Sequence, residues 1–317
     1  MTSIHRLVGA ATTWAILIGV VVACSNDLGR RKTEAHHPPN SLEMAGTTSV
    51  ANTQTQWDSA AGLAIVLAVD SVPDSVSVIR PEYIEGRYSD TTVIDLRSLA
   101  HARFDLFGRN GTFGTAVLAT SRFMVPRGSE DGCVQWPTAT LPTTKRGWHV
   151  ALETGHASAI QLDSIEGMSP SDSAIFAAQV TRVVSTLPEL RDPVFNNVPF
   201  VVRSAYRFQT TVIEGIVAST QRDIPSEATP REEHVFLIAE RPVGSSDDYH
   251  IVFSTRNAGT EGSTPVTNVL AAVILNQVHR VAIIVSNEYE DGGAVALIER
   301  ISPRQWRLTW HSAYAGC

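Results

Sequence analysis

Leu237-Ile238-Ala239-Glu240-Arg241 runs through a turn into Tyr249-His250-Ile251-Val252-Phe253-Ser254. Sixty positions on, from 237 to 297, Leu297-Ile298-Glu299-Arg300 runs through a turn into Trp306-Arg307-Leu308-Thr309-Trp310-His311-Ser312. Each is an apolar run closed by Glu-Arg, then a turn, then an extended run that starts on an aromatic residue. Short runs of branched and aromatic residues between turn formers read as strands. Two such units in one chain predict two similar sheet units packed together. Chance similarity between two amphipathic hairpins is the competing account.

The same pattern extends outward. Val201-Val202 to Phe208, Thr211 to Ser219, Val269 to Leu275, Val281 to Val285 and Ala294 to Glu299 all read as extended, with turns at Asp291-Gly292 and Ser302-Pro303. Leu63-Ala64-Ile65-Val66-Leu67 fits a buried strand or a short helix. Ala102 to Thr120 reads as a hairpin: Phe104 and Leu106 alternate with Arg103 and Asp105, and Asn110-Gly111 supplies the positive φ of a tight turn. Trp148–Leu152 and Ala157–Leu162 read as a second hairpin about Thr154-Gly155. One helix is signalled. Ser169 can cap it, Pro170 suits its first turn, Asp172 suits the positive end of its dipole, and Pro188 stops it. Phe176, Val180, Val183, Val184 and Leu187 share its buried face, and nothing on its polar face points to a site. The expected fold is mainly β (α+β), with antiparallel strands and hairpins and one substantial helix near 170–187. The expected parts are a β-rich stretch at 61–165, the helix at 166–190 and a β meander at 191–317.

The chain begins differently. His5 and Arg6 precede an apolar run of 17 residues, Leu7 to Ala23, which ends in Val21-Val22-Ala23-Cys24. A basic start, a short apolar core and small residues before a cut describe an export signal. An uncleaved anchor is the alternative, since 17 residues is near the lower limit for a spanning helix. With cysteine first after the cut, residues 1–24 resemble the signal of a bacterial lipoprotein. That resemblance implies removal of residues 1–23, a diacylglycerol thioether and an acylated amine on Cys24, and a lipid-anchored place in the cell envelope. Two or three acyl chains hold a protein to a membrane stably, at about 0.8 kcal/mol per buried methylene. Ser25, which is not acidic, resembles the outer-membrane sorting pattern. Residues 25–60 follow as a polar tether with a reach of about 33 Å. Within it, Arg30-Arg31-Lys32 and His36-His37 read as solvated charge and as histidines without fixed metal geometry.

Composition narrows the partners. With residues 1–23 removed, 24 basic residues face 32 acidic ones, a net charge of −8. That balance disfavours nucleic acid, whose phosphates need a basic surface. Beyond Cys24 the cysteines are Cys133 and Cys317. In an oxidising compartment an even pair tends to bond. The expectation is a disulfide, worth about 5 kcal/mol by loop entropy, with two lone thiols as the alternative.

No Gly-x-Ser-x-Gly elbow, His-Glu-x-x-His helix, phosphate-binding loop or dinucleotide fingerprint occurs. His149 and His156 lie too far apart on the expected hairpin to share a metal. Trp306, Leu308 and Trp310 share one face of a strand by alternation. If exposed, that face stacks on sugar; if buried, it is core, which is the commoner place for tryptophan. Asp247-Asp248 and Glu288, Glu290, Asp291 could hold calcium or do acid–base work, but acidic residues beside Gly or Ser also belong in turns. No catalytic residue, metal or cofactor is assigned. The first expectation is a non-catalytic envelope protein that binds or scaffolds another protein or a glycan. An envelope hydrolase acting on glycan or peptide is the alternative.

Overall fold

A strand with apolar side chains on both faces needs a covering layer on each. The computed structural model supplies those layers. It describes residues 57–69, 74–79, 96–124, 136–188, 193–225 and 230–316. The export signal, Cys24, Cys133 and Cys317 therefore lie outside the described residues. Seven strands come first: β1 (Ile65–Ala68), β2 (Ser75–Ile79), β3 (Arg103–Gly108), β4 (Gly111–Val117), β5 (Ala119–Met124), β6 (Thr138–Thr140) and β7 (Val150–Glu153). They form one antiparallel sheet in the order β4-β3-β7-β1-β2-β6-β5, here the distal sheet. The ambiguous run at 63–67 is a strand from Ile65 onward, with Ile65 and Leu67 buried on one face and Val66 on the other.

Two short strands, β8 (Ala157–Ile160) and β9 (Asp163–Ser164), lead into the helix α1 (Pro170–Val184). Ser169 caps α1: its hydroxyl accepts from the Asp172 amide at 3.2 Å and donates to the Asp172 carboxylate at 2.7 Å. Then come two meanders: β10 (Val201–Gln209), β11 (Ile213–Ile224), β12 (Arg231–Pro242) and β13 (His250–Thr260), followed by β14 (Val266–Leu275), β15 (Arg280–Tyr289), β16 (Gly292–Ser302) and β17 (Gln305–His311). A last pair of residues, β18 (Ala315–Gly316), sits on β16. Each meander gains a short strand at its far edge. β9 pairs with β10 to complete a helix-side sheet, and β8 pairs with β14 to complete a central sheet. The chain is mainly β, in three antiparallel sheets.

Packing orders these layers. α1 lies on the outer face of the helix-side sheet through Phe176, Val180, Val183 and Val184. The inner face of that sheet meets the central sheet through Phe208, Val217, Phe236, Ile283 and Ile298, among others. The other face of the central sheet meets the distal sheet through Ile284, Leu297, Ile65 and Val150.

The repeated sequence units hold equivalent places. Ala205, Ala218, Leu237 and Ser254 form one cross-strand row of the helix-side sheet. Ala271, Ile284, Leu297 and Trp310 form the matching row of the central sheet. Leu237 and Leu297 thus face outward, while Ile238 and Ile298 face each other's sheet. Three residues further on stand Glu240 in one unit and Arg300 in the other, because Glu-Arg is offset by one residue between them. Equivalent positions on facing sheets therefore carry opposite charges, and they meet. Arg300 donates to Glu240 through Nε at 2.8 Å and Nη2 at 3.1 Å. The Arg304 amide and the Trp306 indole each donate to the same carboxylate at 2.7 Å.

Three expectations are corrected. β7 and β8 flank a turn at Thr154-Gly155 but do not form a hairpin: β3 and β1 occupy both edges of β7, so β8 crosses to the central sheet. Trp306, Leu308 and Trp310 do not share a face. Thr309 is an extra residue between the pairs Ile298↔Leu308 and Leu297↔Trp310, and this bulge reverses the alternation. Trp306 and Leu308 point into the core between the central and helix-side sheets, and Trp310 into the core against the distal sheet. At 5% and 0% exposed, Trp306 and Trp310 offer no surface to a sugar. The packed structure also includes residues 57–60, which the tether was expected to cover. Trp57 meets Trp310 edge-on at 4.9 Å, and Ala60 is buried.

Burial pushes the Glu240 carboxyl up, but its bonds to Arg300, Trp306 and the Arg304 amide more than offset that and hold it below the usual glutamate value. Its stabilisation is therefore complete above the unfolded value, about pH 4.3, and is lost as pH falls through the lower folded value. Glu240→Gln should cost about 3–5 kcal/mol at neutral pH, because it leaves Arg300 with no carboxylate between the sheets. In thermal melts from pH 7 to 3, the gap between wild type and variant should close in acid; a gap independent of pH would refute this account.

Candidate functional site

The outward side chains of β12 run Glu233, Val235, Leu237, Ala239, Arg241. α1 covers the three apolar ones and leaves the Arg241 end open. Beyond Ala239 lies a groove of about 750 Å³. Its wall is one stripe of α1, Ile175, Ala178, Gln179 and Arg182, at spacings i, i+3, i+4 and i+7. Its floor is Arg207 of β10, Glu214 of β11, Arg241 of β12 and Tyr249 just before β13. Asp163, Phe208 and Gln209 close one edge. This face, on which the sequence pointed to no site, adjoins the core stripe of α1 and lines the groove.

The floor is held in place by its own contacts. Arg241 donates to Glu214 Oε2 from Nε at 2.8 Å and from Nη2 at 2.6 Å, with its guanidinium 4.5 Å from the centre of the Tyr249 ring. The Gly244 amide donates to the other Glu214 oxygen at 3.3 Å. These bonds, with Arg241 foremost, hold the Glu214 carboxyl below its usual value, and the Glu214 bond raises Arg241. Burial pushes the Tyr249 phenol up, and the neighbouring Arg241 charge only partly reverses this. At neutral pH the groove thus presents a protonated phenol. Arg207 lies over the Phe176 ring at 4.2 Å, with Gln179 Oε1 at 3.5 Å from its Nη2. Arg182 bonds Asp248 across the rim at 3.1 Å, with both side chains exposed.

Other charged clusters have structural work. Glu233 is fully buried between Arg222 and Arg256 at the far end of β12. Arg222 donates to the Phe195 carbonyl at 2.6 Å, and Arg256 to that of Pro188, so the triad pins the chain that leaves α1. On the inner face, Glu232 accepts from Thr264 and from the Gly262 amide, with His234 Nε2 at 3.1 Å. Asp248 is a rim residue, and Asp291 accepts from Tyr314. Among the described residues no group of three or more His, Cys, Asp or Glu could hold a metal ion. Nor is any described helix long and apolar enough to cross a membrane.

Neither Trp306 nor Trp310 belongs to the groove, and sequence reading proposed none of its floor residues. The available signal was the second stripe on α1. Comparison with known proteins finds no matching family model, no matching curated protein and no matching solved structure.

Proposed function

We propose that this chain is an exported binding protein, held to a membrane through lipid on Cys24, which takes its ligand in the groove between α1 and the helix-side sheet. The groove is the observation that carries the reading. Its volume of about 750 Å³ fits a small molecule or a short segment of a larger one. Its walls combine three guanidinium groups, a phenol and an exposed apolar side chain, Ile175. Such a surface binds without any covalent step. A photo-cross-linking residue placed at Ala178, on the groove wall, should capture a partner in the native envelope. The same residue at Thr112, exposed on β4, should not. Equal capture at both sites, or at neither, would overturn the groove.

The anchor rests on Val21-Val22-Ala23-Cys24. A fatty-acid analogue fed to the producing cells should label wild type and leave Cys24→Ser unlabelled; equal labelling would end the lipoprotein reading.

A disulfide between Cys133 and Cys317 belongs to the same exported state. In its support, the Trp136 indole donates to the Ala313 carbonyl at 3.3 Å, so the chain shortly after the first cysteine runs beside the chain shortly before the second. Peptide mapping without reduction should recover the two cysteines linked. Recovery of both as free thiols from exported protein would exclude the bond.

A further inference from the structure

We infer that the groove selects a ligand bearing a terminal oxyanion, a carboxylate or a phosphate, which docks on Arg207. This rests on the groove being the binding site. Its basis is the difference between Arg207 and the other two guanidinium groups. Arg241 is already forked onto Glu214, and Arg182 is bonded to Asp248. Among the described residues, Arg207 has no carboxylate within ion-pair distance. Asp163 stands directly across from it on β9 and lines the same groove, yet makes no ion pair with it.

A half-buried cation without a counter-charge is costly unless something supplies one. Arg207 is also held in position. Its guanidinium lies over Phe176, itself fully buried in the core beneath α1, so the planar fork is oriented before any ligand arrives. A fork so placed matches the two oxygens of a carboxylate or phosphate. The Tyr249 hydroxyl on the same floor is already bonded to Glu214 and Arg241, which leaves Arg207 as the guanidinium free of a carboxylate. Ile175, 63% exposed on the groove wall, offers contact to an apolar portion of the ligand.

Hexanoate, hexyl phosphate and hexan-1-ol make suitable probes, since they share an alkyl chain and differ at the head. They would be titrated into the full chain, ¹⁵N-labelled, while the arginine Nε–Hε resonances are followed by NMR. At least one anion should shift the Arg207 resonance saturably and bind about tenfold or more tighter than the alcohol. The better of the two anions assigns the head group. Arg207→Gln should reduce anion binding to the level of the alcohol with the melting temperature unchanged, and Arg207→Lys should fall between. Asp163→Asn, which leaves Arg207 in place and removes a competing charge, should tighten anion binding by about two- to fivefold. Equal affinity for alcohol and anions, or anion binding indifferent to both Arg207→Gln and Asp163→Asn, would overturn the oxyanion inference while leaving the groove standing. If no probe moves the groove resonances, the oxyanion inference falls, and cross-linking at Ala178 decides the groove separately.

Discussion

Two four-stranded meanders with apolar side chains on both faces set the terms for everything else in this protein. Neither can be stable alone, because each would leave a row of Leu, Ile and Val in water. Packed together they bury one face each, and two outer faces remain. α1 covers the first, and the seven strands of the distal sheet cover the second. The helix is shorter than the face it covers. What it leaves open, at the end of the sheet where the side chains turn from apolar to charged, is the groove.

Strand ends do the polar work. β12 is apolar over Val235 to Ala239 and charged on either side. Its inward charges, Glu232 and Glu240, are met by Thr264, His234, Arg300 and Trp306. Its outward charges, Glu233 and Arg241, are met by two arginines at one end and by Glu214 at the other. Buried charge of this kind is tolerable only when each group is paired and hydrogen-bonded. The same strand therefore contributes a sealed cluster at one end and an open floor at the other, and the difference lies in the covering chain.

Local chemistry was legible in the sequence, and long-range partnership was not. Ser169, Pro170 and Asp172 declare the start of a helix within four residues, and Asn110-Gly111 declares a hairpin. The Glu-Arg repeat marked the two meanders, since it recurs on the third strand of each. The sheet that β8 joins depends on which edges are already filled, a property of the whole chain. The bulge at Thr309 separated Trp310 from Trp306 with no turn residue to announce it. The groove was hidden for the same reason. Arg207, Glu214 and Arg241 come together only through the registers of three strands, and the stripe from Ile175 to Arg182 looks like an ordinary solvated face until the helix is docked.

The charge complementarity of Glu240 and Arg300 has a consequence for how copies of this chain avoid one another. The two meanders are alike in topology, so a meander from one molecule could in principle pack on the same meander of another, as in an isologous two-fold pairing. Such a pairing would set Glu240 against Glu240, or Arg300 against Arg300, with no counter-charge between closely packed apolar faces. Like charges juxtaposed in an interface cost several kcal/mol. A one-residue offset in a repeated dipeptide thus makes each meander complementary to the other meander and repellent to its own twin.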